Sequence, residues 1–326
     1  PSRLDKFIAI DKNISGIYNR NASSEGQAQF QPEYNIEDSI EGYAKVISNI
    51  PVEMKGPGST IPTSLTFLEL FKAGRVDQLN VLSRWRENNP TISLNAEVGV
   101  KENDKLIGLD LHEKAHGPHG LIAGSTGSGK SEFIITYILS MALNYHPYEV
   151  SFILIDYKGG GLTGAFENRE TGMKLPHLAG TITNLDTVEM NRSLASIQSE
   201  LRKRQRQFNE ARDKLNESTI DIYKYQNLYR RGLVEKPISH LFIVSDEFAE
   251  LKDQRPEFME QLISTARIGR SLGVHLILAT QKPSGVVNDQ IWSNSKFRVC
   301  LRVQDKSDSM DMIKCPDAAE LKNTGR

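Results

Sequence analysis

An eight-residue stretch rich in glycine constrains the fold of this chain more than any other feature. Residues 124–131 read Gly-Ser-Thr-Gly-Ser-Gly-Lys-Ser and satisfy the pattern G-x-x-x-x-G-K-[ST]. A strand-like apolar run, residues 121–123, precedes the stretch, and a helical pattern begins near Lys130. This setting predicts a turn whose backbone N–H groups surround phosphate groups, with the positive end of the helix facing the same charge.

The residue types in this turn suit a nucleoside triphosphate. We predict that Lys130 reaches the β- and γ-phosphates and that the Ser131 hydroxyl ligates Mg²⁺, so ATP and Mg²⁺ are the predicted cofactors. The alternative is a glycine-rich turn that joins a strand to a helix and binds nothing. The predicted nucleotide-binding residues are Gly124, Ser125, Thr126, Gly127, Ser128, Gly129, Lys130, Ser131 and Glu132.

A second apolar run ends in two carboxylates. Residues 240–244 are followed by Ser245, Asp246 and Glu247. A buried strand that ends in acids beside a phosphate-binding turn predicts Asp246 as a Mg²⁺ ligand and Glu247 as the base that polarises the attacking water. The alternative is a helix whose first turn carries acids to suit the helix dipole.

A third apolar strand, residues 274–279, ends in Thr280 and Gln281. We predict that Gln281, rather than Thr280, contacts the γ-phosphate or the attacking water. Gln281 is therefore counted with Lys130 and Glu247 among the predicted catalytic residues.

Arginines supply a further hypothesis. Arg267 and Arg270 follow a helix that starts near Pro256, and in ring-shaped ATPases an arginine of one subunit completes the neighbour's site. We choose Arg270 for this role, with Arg267 and Arg204 as rivals. The alternatives are a helix cap or surface ion pair for the first two, and a solvated helical face for the basic stretch 202–206.

The remaining pattern predicts an α/β protein. After residue 94, short apolar runs alternate with longer helical ones, which is typical of a layered sheet flanked by helices. The predicted strands cover residues 106–111, 120–123, 150–156, 180–183, 240–246, 274–280 and 297–303. We predict an accessory and linker region over residues 1–60, partly irregular, and an ATPase domain over 61–326. Within that domain, residues 61–90 are predicted to form packing helices and residues 91–326 the core.

Composition limits the classes of partner. Lysine and arginine number 40 against 41 aspartate and glutamate, a formal net charge of -1, so no bulk attraction to nucleic acid or anionic lipid is expected. The two cysteines, Cys300 and Cys315, lack metal-ligand spacing and are interpreted as reduced thiols. No apolar run approaches the roughly 20 residues of a membrane-spanning helix. We expect a soluble piece of a larger protein.

Three motifs together resemble those of the FtsK/SpoIIIE family of hexameric translocases. They are the turn at 124–131, the sequence Ser-Asp-Glu-Phe at 245–248 and the sequence Leu-Ala-Thr-Gln-Lys-Pro at 278–283. The resemblance covers roughly residues 90–326. Within the family, five further segments look like the first ATPase module of the EssC/EccC branch, the ATPases of type VII secretion. These segments are residues 61–69, 84–86, 116–120, 155–161 and 292–295.

The resemblance implies a RecA-like P-loop fold of the additional-strand, catalytic-glutamate type, with a mainly parallel central sheet. It also implies a membrane-anchored protein at the cytoplasmic face of the cell membrane, with further ATPase modules in tandem and assembly as a hexamer. The implied activity is ATP hydrolysis that powers export of small helical-hairpin proteins of the WXG type. The family pattern predicts one more core strand beyond Arg326.

Two other functions remain open from the sequence. A DNA translocase of the same fold would be stimulated by duplex DNA and would lose affinity steeply with salt. A nucleotide-binding regulatory scaffold would turn over little ATP. Near-zero net charge and residues 156–161 argue against the former and make nucleic acid an unexpected partner, whereas Lys130 and Glu247 argue against the latter.

Overall fold

The computed structural model divides the chain into two units, residues 1–59 and 60–326. It describes residues 6–9, 15–19, 28–30 and 61–325, except residues 63, 157–160, 169, 184–185, 286, 288–291 and 293–294. Parts of the predicted EssC-like motifs, residues 157–160 and 293–294, therefore lie outside the described residues, as does most of the predicted accessory region.

The first unit contains a small antiparallel sheet. Its strands are β1 (Lys6–Ala9), β2 (Ser15–Asn19) and β3 (Ala28–Phe30), in the order β1-β2-β3. The sequence of this unit contains no motif from which we predicted a binding or catalytic role, and its small sheet was not predicted.

The second unit is built on a six-stranded parallel sheet in the order β11-β6-β10-β9-β7-β8. Its strands are β6 (His119–Ala123), β7 (Val150–Asp156), β8 (Leu178–Ile182), β9 (His240–Asp246), β10 (Val274–Thr280) and β11 (Ser295–Cys300). Strand β10 separates β6 from β9. This order is the additional-strand arrangement that the family resemblance predicts, and the α/β fold class is confirmed.

Helices cover both faces of this sheet. They are α3 (Lys130–Asn144), α4 (Thr187–Leu215), α5 (Ile222–Arg230), α6 (Phe248–Gln254), α7 (Pro256–Gly269) and α8 (Lys306–Ile313). Alternate residues of β9 show why: Leu241 and Ile243 belong to one core cluster, and Phe242 and Val244 to the other. A strand buried on both sides reads as a continuous apolar run, which is what made β9 and β10 predictable.

Smaller elements precede the sheet. Helices α1 (Phe67–Leu70) and α2 (Val81–Glu87) flank a 3-10 turn, Val76–Leu79, and strands β4 (Asn95–Lys101) and β5 (Lys105–Asp110) form an antiparallel hairpin. The Trp85 indole N–H donates to the Ala142 carbonyl at 3.0 Å, which fixes α2 against the end of α3. The strand predicted over residues 106–111 thus belongs to this hairpin and not to the main sheet. Among the described residues, no helix is both long enough and apolar enough to span a bilayer.

Three histidines lie buried at the amino ends of the central strands. His275 Nδ1 is 2.9 Å from the Pro118 carbonyl, so it carries the proton, and His275 Nε2 then accepts from His240 Nδ1 at 2.8 Å. The His119 Nδ1 accepts from the Leu276 amide. Burial lowers the pKa of His119 to about 4 and of His275 to about 3, and it holds that of His240 well below its usual value of 6.5.

These shifts predict acid-labile folding. Above pH 6.5 these histidines are neutral in both the folded and the unfolded chain. Below pH 6.5 the histidines of the unfolded chain bind protons, whereas those of the folded chain stay neutral. The free energy of unfolding therefore falls as the pH approaches the folded pKa values. Between pH 6.5 and 5, each such histidine should remove about 1.5 kcal/mol from the free energy of unfolding. Urea unfolding at several pH values measures this. A free energy of unfolding that stays constant or rises as the pH falls from 6.5 to 5 would contradict the assignment of these three histidines as buried and neutral.

Candidate nucleotide-binding site

The glycine-rich turn, residues 124–129, connects the carboxyl end of β6 to the first turn of α3. Every residue of β6 is buried, and β6 lies between β11 and β10, so the turn emerges from an inner strand of the sheet and not from its edge. Gly127 and Gly129 have φ values of 74° and 94°, in the left-handed region that a residue with a Cβ atom seldom adopts. The two glycines are therefore required by the path of the turn.

The turn offers backbone N–H groups and few carbonyl oxygens. Within the part of the chain that the structure describes, no acceptor bonds the N–H groups of Thr126, Gly127, Gly129 or Lys130. The Gly127 and Ser128 carbonyls, by contrast, accept hydrogen bonds from residues near the end of the sequence. An array of unpaired N–H groups at the start of a helix is the arrangement that binds an anion.

The Lys130 ammonium lies between two carboxylates, that of Asp246 at the end of β9 and that of Glu247 directly after it. Its Nζ is 2.6 Å from Asp246 Oδ1 and 3.3 Å from Glu247 Oε2, and the side chain is only 7% exposed. The three groups are brought together because β10 alone separates β6 from β9 in the sheet. The structure thus places the predicted metal ligand and the predicted base beside the phosphate-binding turn.

Glu247 is held in an unusual backbone conformation. Its φ of 56° and ψ of 48° are left-handed, and it stands at the start of α6. Non-glycine residues in this region cost about 1–3 kcal/mol and are frequent at functional sites. Oε1 of Glu247 accepts from the Gln281 amide at 3.1 Å and from the Thr280 hydroxyl at 3.4 Å, so the carboxylate is aimed by the end of β10.

Gln281 joins the same cluster. Its side-chain oxygen accepts a hydrogen bond of 2.8 Å from the Thr126 hydroxyl, within the turn. The Gly124 amide also donates to the Thr280 carbonyl at 3.1 Å. Ser131 and Glu132 are exposed in the first turn of α3, next to Lys130.

The arginines fall into two groups. Arg267 and Arg270 precede β10, whereas the turn lies beside its other end, about 20 Å away for seven residues at a rise of about 3.3 Å each. Arg270 is 53% exposed and pairs with Glu113 at 3.4 Å. Neither arginine can reach the site of its own chain.

Arg204 does not fit a role in a neighbouring subunit. It is 2% exposed, and its guanidinium donates to the Ser239 and Leu272 carbonyls and pairs with Glu200. The other basic residues of the stretch, Arg202, Lys203 and Arg206, are exposed. Position 204 lies on the apolar stripe of α4 with Leu201 and Phe208, at spacings of three and four residues. That periodicity could have revealed its burial.

Sequence reasoning gave no role to Asp156. This buried carboxylate ends β7 and pairs in register with Asp246 on β9. Its Oδ2 accepts from the Leu162 amide at 3.0 Å and from the Thr163 amide at 3.4 Å. Asp156 therefore ties the chain after residue 160 to the edge of the site. The sequence feature that identified Asp246, an acid at the end of a buried apolar strand, is also present at Asp156 and could have identified it.

A sequence model described as the FtsK/SpoIIIE family matches residues 80–285 of the chain, which include the turn, both carboxylates and Gln281. This chain belongs to the FtsK/SpoIIIE family. Within the family, the type VII secretion protein EssC of Staphylococcus aureus (strain NCTC 8325) is 50% identical over 327 residues. The alignment covers 100% of this chain and 21% of EssC, so the chain spans about a fifth of that relative's length.

Solved structures place this FtsK/SpoIIIE chain in the same branch. The cytoplasmic domain of the type VII secretion ATPase EccC from Thermomonospora curvata superposes with a TM-score of 0.70 at 31% identity, covering 80% of this chain and 30% of EccC. ATPases 2 and 3 of the same EccC, in complex with a signal sequence peptide, match with a TM-score of 0.58 at 25% identity. That match covers 73% of this chain and 40% of the EccC chain.

Proposed function

We propose that this chain is an ATP-hydrolysing motor module of a membrane-anchored type VII secretion ATPase. One observation carries the proposal: a buried lysine of the phosphate-binding turn contacts both strand-end carboxylates, in a chain 50% identical to EssC along its whole length. A scaffold that only held nucleotide would need the turn but not an aimed glutamate. The aimed carboxylate favours turnover.

The residues present fit Mg²⁺ and ATP. The unpaired N–H groups of the turn and the Lys130 ammonium suit the phosphates, and the Ser131 hydroxyl and the Asp246 carboxylate are oxygen ligands of the kind Mg²⁺ prefers. When bound, Mg²⁺ neutralises charge that develops on the phosphate oxygens. Lys130 is already fixed by its two carboxylate partners, so it must exchange them for phosphate when nucleotide enters.

Glu247 and Gln281 act on the attacking water in this proposal. The Glu247 carboxylate accepts the water's proton, and its orientation is set by the Gln281 amide and the Thr280 hydroxyl. The Gln281 side chain, anchored to Thr126, hydrogen-bonds the water or the γ-phosphate. Both side chains come from adjacent strand ends and so need little rearrangement.

We place Arg270 in the site of a neighbouring subunit of a homo-oligomer, with Arg267 as the rival. Both lie too far from the turn of their own chain to act on it, so a role at the turn needs a second subunit, which a head-to-tail contact between subunits would supply. A hexamer is the expected assembly in the intact protein. The proposed partners are further ATPase modules of the same protein, at the cytoplasmic face of the membrane, and secreted helical-hairpin proteins of the WXG type. The peptide complex of EccC supports the latter.

ATPase activity per chain is therefore expected to rise with protein concentration. Substitution Arg270→Ala should lower the rate at high concentration by about 10³-fold and leave ATP binding unchanged, because a trans arginine neutralises transition-state charge only after assembly. Arg206→Ala, which removes an arginine that is also exposed, is the control. Phosphate release over a hundredfold range of protein concentration measures the rise in rate and its loss in Arg270→Ala, and titration with Mg·ATPγS measures ATP binding.

Two outcomes would redirect the proposal. A rate per chain that is independent of concentration and equal in Arg270→Ala would remove this arginine from the mechanism. Stimulation by duplex DNA, lost steeply with added salt, would favour a DNA translocase instead of a protein-secretion motor.

A further inference from the structure

The phosphate-binding turn also contacts the chain that follows β11. The Ser125 amide and hydroxyl both donate to the Arg302 carbonyl at 2.9 Å, just beyond β11. The Leu301 amide donates to the Ala123 carbonyl at 2.9 Å. The chain that follows β11 therefore runs alongside the turn.

Three residues of this following chain bind the carbonyl oxygens of the turn, and we name them the carbonyl clamp: Arg302, Thr324 and Gly325. Thr324 Oγ1 donates to the Gly127 carbonyl at 3.1 Å, and Arg302 Nη2 donates to the same oxygen at 3.4 Å. The Gly325 amide donates to the Ser128 carbonyl at 2.9 Å. Arg302 Nη1 also donates to the Lys322 carbonyl at 3.3 Å, which joins the two parts of the clamp.

The clamp determines which way the N–H groups of the turn point. In a planar trans peptide unit, the C=O and the following N–H point in opposite directions. The bond from Gly325 to the Ser128 carbonyl therefore turns the Gly129 N–H away from the clamp. The bonds to the Gly127 carbonyl likewise turn the Ser128 N–H inward, where it donates to the Ser125 carbonyl at 3.0 Å and closes the turn.

Close packing reinforces this arrangement. A Cβ atom built on Gly129 would lie 3.1 Å from the Gly325 amide nitrogen and 3.3 Å from Thr324 Cγ2, at a φ of 94°. The glycine thus allows the clamp to approach the turn directly. Without the clamp, the peptide units at 127–129 would be less restrained, because glycine has the widest choice of backbone conformations and the bond from Ser128 to Ser125 alone would hold the turn closed.

We propose that Arg302 and Thr324 are positioning residues that set ATP affinity by holding the Gly127 carbonyl of the turn outward. This inference rests on the proposed function, since it concerns the same site. The clamp touches neither the phosphates nor the attacking water in this scheme. Its loss should weaken nucleotide binding while the chemical step at saturating ATP is preserved.

The test compares four variants with the unsubstituted chain. Thr324→Val keeps the shape of the side chain and removes the hydroxyl, and Thr324→Ser restores a hydroxyl. The double variant Arg302→Gln/Thr324→Val removes the side chains that bond the Gly127 carbonyl, and Lys322→Ala is the control because Lys322 contributes only its main chain. Isothermal titration with Mg·ATPγS gives the Kd, and phosphate release gives KM and kcat.

The double variant should raise Kd and KM about fivefold or more, since each hydrogen bond lost is worth roughly 0.5–1.5 kcal/mol, and leave kcat within about twofold. Thr324→Ser and Lys322→Ala should match the unsubstituted chain. Equal Kd in the double variant, or a fall in kcat with Kd unchanged, would overturn the inference. Thermal unfolding of the two single Thr324 variants without nucleotide should show the same midpoint as the unsubstituted chain, because Thr324 is exposed. Failure of the unsubstituted chain to bind Mg·ATPγS would instead count against the proposed function.

Discussion

Substitution Glu247→Gln should reduce ATP turnover by about 10²–10⁴-fold while ATP remains bound. The amide keeps the size of the side chain but has no carboxylate to accept the proton of the attacking water. The Lys130 ammonium would retain Asp246 as a partner at 2.6 Å, so the turn should still present its lysine to phosphate. The loss should therefore appear in kcat and not in nucleotide affinity.

The control for this variant is Glu260→Gln, which makes the same chemical change at an exposed position on α7. Phosphate release under saturating ATP measures kcat, and titration with Mg·ATPγS measures affinity. Turnover by Glu247→Gln equal to that of Glu260→Gln would show that Glu247 is not the base. If turnover in both variants and in the unsubstituted chain were also close to background, the result would favour the regulatory scaffold that the sequence left open.

Substitution Lys130→Ala should abolish measurable ATP turnover. The ammonium contacts both carboxylates, and without it nucleotide phosphate would meet Asp246 and Glu247 without that neutralising charge. The buried acids would repel both each other and the ligand. Lys130→Arg is not expected to rescue activity, because a planar guanidinium does not replace a compact ammonium.

Removal of a buried partner also affects folding. Breaking such a pair typically costs about 3–5 kcal/mol because an uncompensated charge stays buried, although active-site residues can oppose this trend. Thermal unfolding of Lys130→Ala should therefore accompany the activity measurement, with Lys214→Ala, an exposed lysine of α4, as the control. A folded Lys130→Ala protein that hydrolyses ATP normally would contradict the assigned role.

Local sequence carried most of the information about the site. The turn at 124–131 and the two acids at the end of β9 were predicted directly from the residue pattern, because each lies where a strand buried on both faces ends. The bounds of β7, β9 and β10 agree with the strands predicted for 150–156, 240–246 and 274–280. Such strands are continuous apolar runs that end abruptly in polar residues, so the hydrophobic pattern of the sequence identifies both the strands and their ends.

Long-range pairing was the part that pattern alone could not give. The strand order depends on which crossover each helix makes, and it came from family resemblance instead of from residue spacing. The register that sets Asp156 beside Asp246 depends on the same pairing. Arg204 shows the opposite failure: its charge suggested exposure, although helical spacing placed it on the buried stripe of α4. The clamp contacts join residues 175 and 197 positions apart and carry no motif.

The central claim is that the turn before Lys130 binds the phosphates of ATP with Mg²⁺. Isothermal titration of the chain with ATPγS, with Mg²⁺ and with excess chelator, tests it most directly. The account predicts one nucleotide per chain, with affinity that depends on Mg²⁺ and is lost in Lys130→Ala but retained in Lys214→Ala. Absence of binding by the unsubstituted chain, or equal binding by a folded Lys130→Ala variant, would contradict it.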